Sequence, residues 1–160
     1  MKLTIEEAFR RYGDAVFRAA FSVCRSGTDA DDVVQDTFLK YHTRAPEFMS
    51  EAHLKAWLLR VAMNRAKDLA AAHRRKNEVA WETFRDTLTF EQSEDRDLFD
   101  AVMRLPEKYR AVIHLFYYEE YTINEIADLL HRRPGTVKSQ LSRARALLKT
   151  TLTEEWNDDE

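Results

Sequence analysis

The chain has 160 residues, of which 44% are hydrophobic and 33% are charged, and its formal net charge is −3. This hydrophobic content is sufficient for one packed domain or two small ones, and the scarcity of glycine and proline, three of each, favours helices. A single cysteine excludes an intrachain disulfide, and the sequence has neither a secretion signal nor an apolar run long enough to cross a membrane, so we expect a protein of the reducing cytoplasm.

The N-terminal part of the chain is predicted to form two amphipathic helices. Apolar residues recur at three- and four-residue steps over residues 3–25, and Ser26 with Gly27 is expected to end this first helix. Thr28 followed three residues later by Asp31 is an N-terminal capping signal, which predicts the start of a second helix.

The second helix has two unlike faces. Val34, Phe38 and Tyr41 fall on one face and are expected to point into the interior. Another face is acidic but carries an apolar residue, and it consists of Asp29, Asp32, Gln35, Asp36 and Leu39. A face of this kind is usually solvated surface, so the pattern alone does not identify a binding site.

A long third helix is predicted over residues 53–76, after a loop that contains Pro46. Its apolar side consists of Leu54, Leu58, Val61 and Leu69. Trp57 is better explained as a core residue than as one that stacks on a nucleic-acid base.

The same helix carries a polar stripe that could contact nucleic acid. Arg60, Asn64 and Lys67 follow one another at i, i+4 and i+7. The Asn64 amide can pair with a base edge, and the two cations can hold phosphate. Arg74 and Arg75 can add phosphate contacts near the end of the helix.

The charges are segregated along the chain. Residues 60–76 carry six lysines or arginines against one aspartate, and residues 128–149 carry the same numbers, so each segment has a net charge of +5. Residues 77–100 hold eight acidic and two basic residues, and residues 150–160 hold five acidic residues and no basic one. Two cationic segments with acidic spacers are compatible with two DNA contacts, although solvated charge runs are common.

The first acidic spacer coincides with a break in apolar periodicity. We therefore predict a linker over residues 77–97, with one helical turn around Trp81 and Phe84. A short helix is expected over residues 98–105, and Pro106 is suited to open the helix after it.

Two short helices joined by a tight turn are predicted over residues 122–148. Thr122 and Glu125 have the spacing of a capping box, in which two amide donors at a helix start are satisfied reciprocally. Apolar residues recur at helical spacing as far as Leu130, and Pro134 suits the first position of another helix. This arrangement is typical of the helix-turn-helix, whose second helix reads DNA, but an ordinary solvated helical hairpin predicts the same pattern.

The second helix of this pair has a core stripe and an open face. The core stripe consists of Val137, Leu141, Ala144 and Leu148. The open face consists of Gly135, Ser139, Ser142, Arg143 and Ala146, with Lys138 and Arg145 on one flank and Thr136 on the other. A small, hydroxylated and cationic face can enter a major groove closely and offer donors to guanine edges or phosphates.

Four segments of the chain resemble bacterial RNA polymerase sigma factors of the extracytoplasmic-function (ECF) group, in the order in which the family has them. DADDVVQDTFLKYH resembles the segment that docks on the clamp coiled coil of core RNA polymerase. WLLRVAMN is similar to the segment that opens DNA at the −10 element, where a non-template base is flipped into a pocket. LPEKYRAVIHLFYYEEYT is similar to the lead-in of the −35 reader, and INEIADLL followed by PGTVKSQLSRARALLK resembles the reader itself.

The resemblance implies three groups of contact residues. The −35 contacts are expected from Arg132, Arg133, Thr136, Lys138, Ser139, Ser142 and Arg143. The −10 contacts are expected from Arg60, Asn64, Lys67, Arg74 and Arg75. The contacts to core polymerase are expected from Asp32, Gln35, Asp36, Phe38 and Leu39. Core polymerase and promoter DNA are the implied partners, an anti-sigma factor is a further one that the family allows, and no cofactor or metal is implied.

The expected fold is all-α, with two small helical domains. We place a region-2-like domain at residues 1–76, the linker at 77–97, a region-4-like helix-turn-helix domain at 98–152 and an acidic tail at 153–160. Enzyme chemistry finds no support, because the five histidines are scattered and there is neither a second cysteine for a zinc site nor a glycine-rich phosphate loop. A stand-alone helix-turn-helix regulator and a helical adaptor without DNA binding are the alternatives.

The turn between the two C-terminal helices departs from the family pattern. Where the family usually has glycine, an apolar residue and serine, this chain has His131, Arg132 and Arg133. His131 is expected to take a left-handed backbone without the freedom of glycine, and Arg133 cannot cap as serine would. We therefore expect a less stable turn, whose two arginines add phosphate contacts.

Overall fold

The chain folds into helices that form two compact units. The computed structural model describes the backbone of residues 2–73 and 93–158 and the side chains of residues 2–73 and 97–153. These residues are predominantly helical and contain no strand, which confirms the all-α prediction. The two units comprise Met1–Asp86 and Thr87–Glu160.

The N-terminal unit is a bundle of three helices. They are α1 (Ile5–Cys24), α2 (Gly27–Arg44) and α3 (Glu51–Ala72), and each packs against the other two. Each begins after a hydroxyl residue whose side chain accepts a hydrogen bond from an amide of the first turn, and these caps are Thr4, Ser26 and Ser50. The capping hydroxyls thus define where all three helices start.

The interior of this unit combines a layer of small residues with an aromatic cluster. Ala19 and Ala20 of α1 are fully buried, as are Leu54 and Leu58 of α3, so small side chains on one helix face large ones on another. The cluster is formed by the rings of Tyr41, Phe48 and Trp57, whose centroids are 5.8–6.4 Å apart. The partial burial of Trp57 among these rings agrees with its interpretation as a core residue.

The C-terminal unit continues with α4 (Ser93–Arg104), α5 (Glu107–Ile113), a π-helical turn (His114–Tyr118), α6 (Ile123–Leu130) and α7 (Pro134–Asp158). Its core lies where α4, α5 and α6 meet α7. Val112, Leu115 and Ile126 are fully buried there together with Val137 and Leu141 of α7. The long last helix is therefore the element on which the unit is built.

The capping box predicted at the start of α6 is present in both directions. The Glu125 amide donates to Thr122 Oγ1 at 3.1 Å, and the Thr122 amide donates to Glu125 Oε1 at 2.9 Å. At the other end, His131 has φ 54° and ψ 47°, the left-handed conformation expected for it. The Arg132 amide donates to the Ala127 carbonyl at 2.9 Å, which closes the turn without glycine.

Several helix boundaries differ from the predicted ones, including the end of α3, which lies at Ala72 and not at residue 76. Ser26, not Thr28, caps α2, and Gly27 is the first residue of that helix. The start is early because Arg25, directly after α1, has a left-handed backbone (φ 53°) that ends α1. Helix α3 begins two residues early, after the Ser50 cap. Helix α4 begins at residue 93, inside the predicted linker, and α7 extends to residue 158, inside the predicted tail. The helical turn predicted around Trp81 and Phe84 lies outside the described residues.

Because His131 is a non-glycine residue in a left-handed conformation, we expect His131→Gly to stabilise the unit by about 1 kcal/mol relative to His131→Ala. The alanine variant is the control, since it removes the imidazole but keeps the backbone cost. Hydrogen exchange of the α6 and α7 amides should be roughly fivefold slower in the glycine variant. Equal exchange rates in the two variants would contradict a strained turn.

Candidate nucleic-acid interface

The open face predicted on the second helix of the pair is present on α7. Val137, Leu141 and Ala144 are 0%, 1% and 0% exposed, so this stripe faces the core. The remaining side of the helix is solvent-exposed and carries Thr136, Lys138, Ser139, Ser142 and Arg143. The structure therefore places these five predicted contact residues on one accessible surface.

A cationic cleft runs along this face at the start of α7. It has a volume of about 620 Å³ and is lined by Lys108, Arg133, Gly135, Thr136, Ser139, Gln140 and Arg143. Three of these residues are cationic and none is acidic, so the cleft favours an anionic ligand such as a phosphate backbone. Lys108 was not among the predicted contact residues, since it lies 28 positions before Thr136 in the chain.

Gly135 lies at an open position near the start of α7. A Cβ atom added at this position would meet no atom within 4 Å. The residue is also not in a left-handed conformation, because every residue with positive φ in the described chain is a non-glycine residue. The fold of the unit therefore does not require glycine at this position.

Arg132, predicted as a phosphate contact, does not lie on the open face. Its side chain is partly buried, and Nη1 donates to the Lys108 carbonyl at 3.2 Å and to Gln140 Oε1 at 2.9 Å. Burial lowers the pKa of this guanidinium, and the nearby Glu107 carboxylate partly offsets that effect. Both acceptors belong to the protein, so the structure gives Arg132 an internal contact and its role at DNA stays a prediction, whereas Arg133 is exposed at the cleft.

Arg145 on the flank is exposed, but its side chain contacts two aromatic residues of the same unit. Its Nε donates to the Tyr117 hydroxyl at 2.6 Å, and its guanidinium lies 5.4 Å from the Phe116 ring centroid and 5.7 Å from that of Tyr117. Stacking on aromatic faces restricts a long cationic side chain. The two aromatic residues belong to the π-helical turn, so periodicity along α7 alone could not identify them as partners.

The predicted stripe on α3 is only partly accessible. Asn64 and Lys67 are exposed, one turn apart on the same side, while Arg60 is partly buried. Arg74 and Arg75 lie outside the described residues. The structure thus brings an amide and an ammonium together on an open helix face, which suits contacts to a base edge and to phosphate.

The acidic face of α2 is exposed as expected except at Asp29, which is partly buried. Asp32, Gln35 and Asp36 are exposed, and Leu39 is 61% exposed although it is apolar. Phe38 is 4% exposed and packs edge-on against Phe9, so its assignment as a direct contact is corrected to core support. This is the consequence of its helical spacing from Val34, which is also buried.

Two side chains next to this face were not recognised from the sequence. Arg65 of α3 donates through Nε to Asp36 Oδ2 at 3.1 Å, which links the acidic face of α2 to α3. Phe9 is 54% exposed, although its spacing along α1 groups it with core residues. Of the two rings in contact, that of Phe38 is buried and that of Phe9 is half exposed.

Among the described residues, no group of His, Cys, Asp or Glu side chains is arranged to hold a metal ion. The helices over residues 2–73 and 93–158 also include none that is long and apolar enough to cross a membrane.

Two family models match the chain, one in each unit. Sigma-70 region 2 matches residues 8–76, and Sigma-70, region 4 matches residues 95–148. The ECF RNA polymerase sigma factor SigM of Mycobacterium tuberculosis is 31% identical over 153 residues, which cover 94% of this chain and 78% of the relative.

Two solved structures have the same fold. The sigma factor RpoE of Bartonella quintana, in complex with the anti-sigma factor NepR, has a TM-score of 0.69 at 24% identity and covers 92% of this chain and 96% of its own. CnrH, in complex with the cytosolic domain of CnrY, has a TM-score of 0.64 at 28% identity, and the match covers 94% of this chain and 88% of CnrH.

Proposed function

The chain belongs to the ECF group of RNA polymerase sigma factors, and we propose that it contacts a promoter at two places, one with each of its helical units. As a sigma factor it binds core RNA polymerase and directs promoter-specific transcription initiation. The alternative of a stand-alone helix-turn-helix regulator leaves residues 8–76 unexplained, because such a regulator needs no region 2.

The open face of α7 supports reading of the −35 element. Its hydroxyls at Ser139 and Ser142 flank Arg143, and a guanidinium can donate two hydrogen bonds to the major-groove edge of guanine. Thr136, Lys138 and Arg133 are assigned to phosphates or to the neighbouring base edges. The single observation that carries this proposal is the exposure of these side chains on a helix whose opposite stripe is buried.

The N-terminal unit is assigned to core polymerase and to the −10 element. Asp32, Gln35 and Leu39 offer a mixed acidic and apolar surface, which suits a partner surface with cationic and apolar side chains. Asn64 and Lys67 are assigned to the opened −10 strand, where stacking and polar contacts offset the few kcal/mol of unstacking per flipped base. Family resemblance extends this assignment to Arg60, Arg74 and Arg75.

An anti-sigma factor is a further proposed partner. In the two solved structures described above, RpoE is in complex with the anti-sigma factor NepR, and CnrH is in complex with the cytosolic domain of CnrY. We infer that this chain is regulated in the same manner and that it acts in the cytoplasm, where core polymerase is found.

Transcription with purified core polymerase on a library of promoters tests the function. We expect transcripts that depend on the added chain and that come from promoters sharing two spaced elements. If the chain instead bound palindromic duplexes by itself and gave no transcript with core polymerase, the regulator alternative would replace the sigma-factor function.

Reversing the charge at Asp32 and Asp36 to lysine should weaken co-purification with core polymerase. The fold should remain intact, because both residues are exposed and the Asp36–Arg65 pair has both side chains about half exposed. Exposed pairs of this kind contribute roughly 0–1 kcal/mol. Asp14→Lys is the matched control, since Asp14 is exposed on α1. Retention of core binding by the double variant would remove this face from the interface.

Arg143→Ala should cost about 1–3 kcal/mol on the preferred −35 sequence and relax the preference at one base position. Lys138→Ala should weaken binding to all sequences more evenly and lower the salt dependence by about one phosphate, because Lys138 lies on the flank of the reading face. Binding of both variants to a −35 library at several salt concentrations separates the two effects. Unchanged base preference after Arg143→Ala would exclude groove reading by this residue.

A further inference from the structure

The cleft at the start of α7 has a second wall, formed by Lys108 of α5, to which neither the sequence nor the family resemblance assigned a role. We infer that Lys108 binds a DNA backbone phosphate beside the −35 bases, and that Arg132 is a positioning residue that holds Lys108 against the reading helix. This inference rests on the proposed function of α7 and adds a contact from a different helix.

Lys108 is exposed, and its ammonium contacts an aromatic ring. Its Nζ lies 5.1 Å from the centroid of the Tyr109 ring. Tyr109 itself is only 8% exposed, so the ring that the ammonium contacts is anchored in the core. A cation–π contact at an exposed site is weak, so it favours this placement of the ammonium without fixing it.

Lys108 shares its cleft with the residues assigned to DNA. Arg133 and Arg143 line the same space, together with the Thr136 and Ser139 hydroxyls. A duplex whose major groove receives Arg143 presents its phosphates along both groove edges. Lys108 lies on the α5 side of this cleft and is therefore suited to the phosphates of one edge, while Lys138 serves the flank of α7 itself.

Arg132 connects the two walls of the cleft. One nitrogen, Nη1, donates both to the Lys108 carbonyl on α5 and to Gln140 Oε1 on α7. The guanidinium thereby joins the backbone of Lys108 to the reading helix, across 24 residues of sequence. Charged hydrogen bonds of a partly buried group are stronger than neutral exposed ones, so this connection restricts the width of the cleft.

Arg132 also interacts with the carboxylate of a residue next to Lys108. That residue is Glu107, whose interaction with the Arg132 guanidinium is electrostatic. Without that cation, the Glu107 carboxylate would lose a counter-charge in the part of α5 that carries Lys108. Loss of Arg132 should therefore reduce DNA affinity even though Arg132 itself does not face the cleft.

The test measures how DNA affinity of the full chain in complex with core polymerase depends on salt, with promoter DNA carrying the −35 sequence that the wild-type complex selects from a randomised pool. Lys108→Ala should lower the slope of log K against log salt by about 0.9, the contribution of one phosphate. The affinity ratio of wild type to variant should then shrink about 3.5-fold between about 50 and about 200 mM salt. Base preference should remain unchanged. Lys2→Ala, which removes an exposed charge from the other unit, is the control and should keep the wild-type slope.

Coupling tests the role of Arg132. In an Arg132→Met background, Lys108→Ala should change the slope by clearly less than in the wild type, since the lysine is no longer held at the cleft. Gln140→Ala removes one acceptor of the Arg132 guanidinium and leaves the guanidinium in place. In this background too, Lys108→Ala should change the slope less than in the wild type, but the difference should be smaller than with Arg132→Met. If Arg132 only stabilises the fold, Arg132→Met should lower helix stability but leave the effect of Lys108→Ala on the slope unchanged.

The outcomes distinguish this inference from the proposed function. If the wild type binds with a clear salt slope and sequence preference but Lys108→Ala keeps that slope, the phosphate contact is wrong while −35 reading stands. If Lys108→Ala lowers the slope equally in all backgrounds, the positioning role of Arg132 is wrong. If the wild type itself shows neither preference nor salt dependence, the proposed −35 function fails together with the inference.

Discussion

The burial of one stripe of α7 is the constraint on which the C-terminal unit depends. Val137 and Leu141 are almost fully buried, and side chains of this size contribute about 1.5–3 kcal/mol each when they leave water. Because a helix turns by about 100° per residue, fixing this stripe also fixes the direction of Arg143 on the opposite side. Rotation by one residue would bring Lys138 into the core, where an unpaired charge is not tolerated. The core therefore determines which face of α7 is open to solvent.

Features set by short-range spacing were predicted correctly from the sequence. The reciprocal Thr122–Glu125 cap, the left-handed His131 and the two faces of α7 each depend on residues within a few turns. The partners of Arg132 were not predictable in this way, because the Lys108 carbonyl is 24 positions away and any backbone carbonyl is chemically alike. The predicted cap of α2 was wrong for another reason: two hydroxyl residues stand close together, and only the ending of α1 decides between them. Phe38 is buried and is removed from the direct contacts, whereas the other assigned contacts and the domain bounds stay predictions.

The segregation of charge reconciles a net negative chain with DNA binding. The face of α2 and the stripe of α3 belong to one unit, where Arg65 of the cationic helix already pairs with Asp36 of the acidic face. Opposite charges on adjacent helices give one small bundle two different surfaces, one suited to a protein partner and one to a phosphate backbone. The aromatic cluster under the loop before α3 keeps these surfaces in a fixed relation within the unit, since Phe48 anchors that loop against Trp57.

The central claim is that the two units contact two different elements of one promoter. The chain allows a direct measurement, because its one cysteine, Cys24, is 1% exposed and hardly accessible to a thiol reagent. A DNA-cleaving iron chelate can therefore be attached separately at Ser142→Cys on α7 and at Asn64→Cys on α3, both exposed positions. In the complex with core polymerase on promoter DNA, the chelate at position 142 should cleave around the −35 element and that at position 64 around the −10 element. Cleavage by both chelates at the same element, or uniformly along the DNA, would contradict the account.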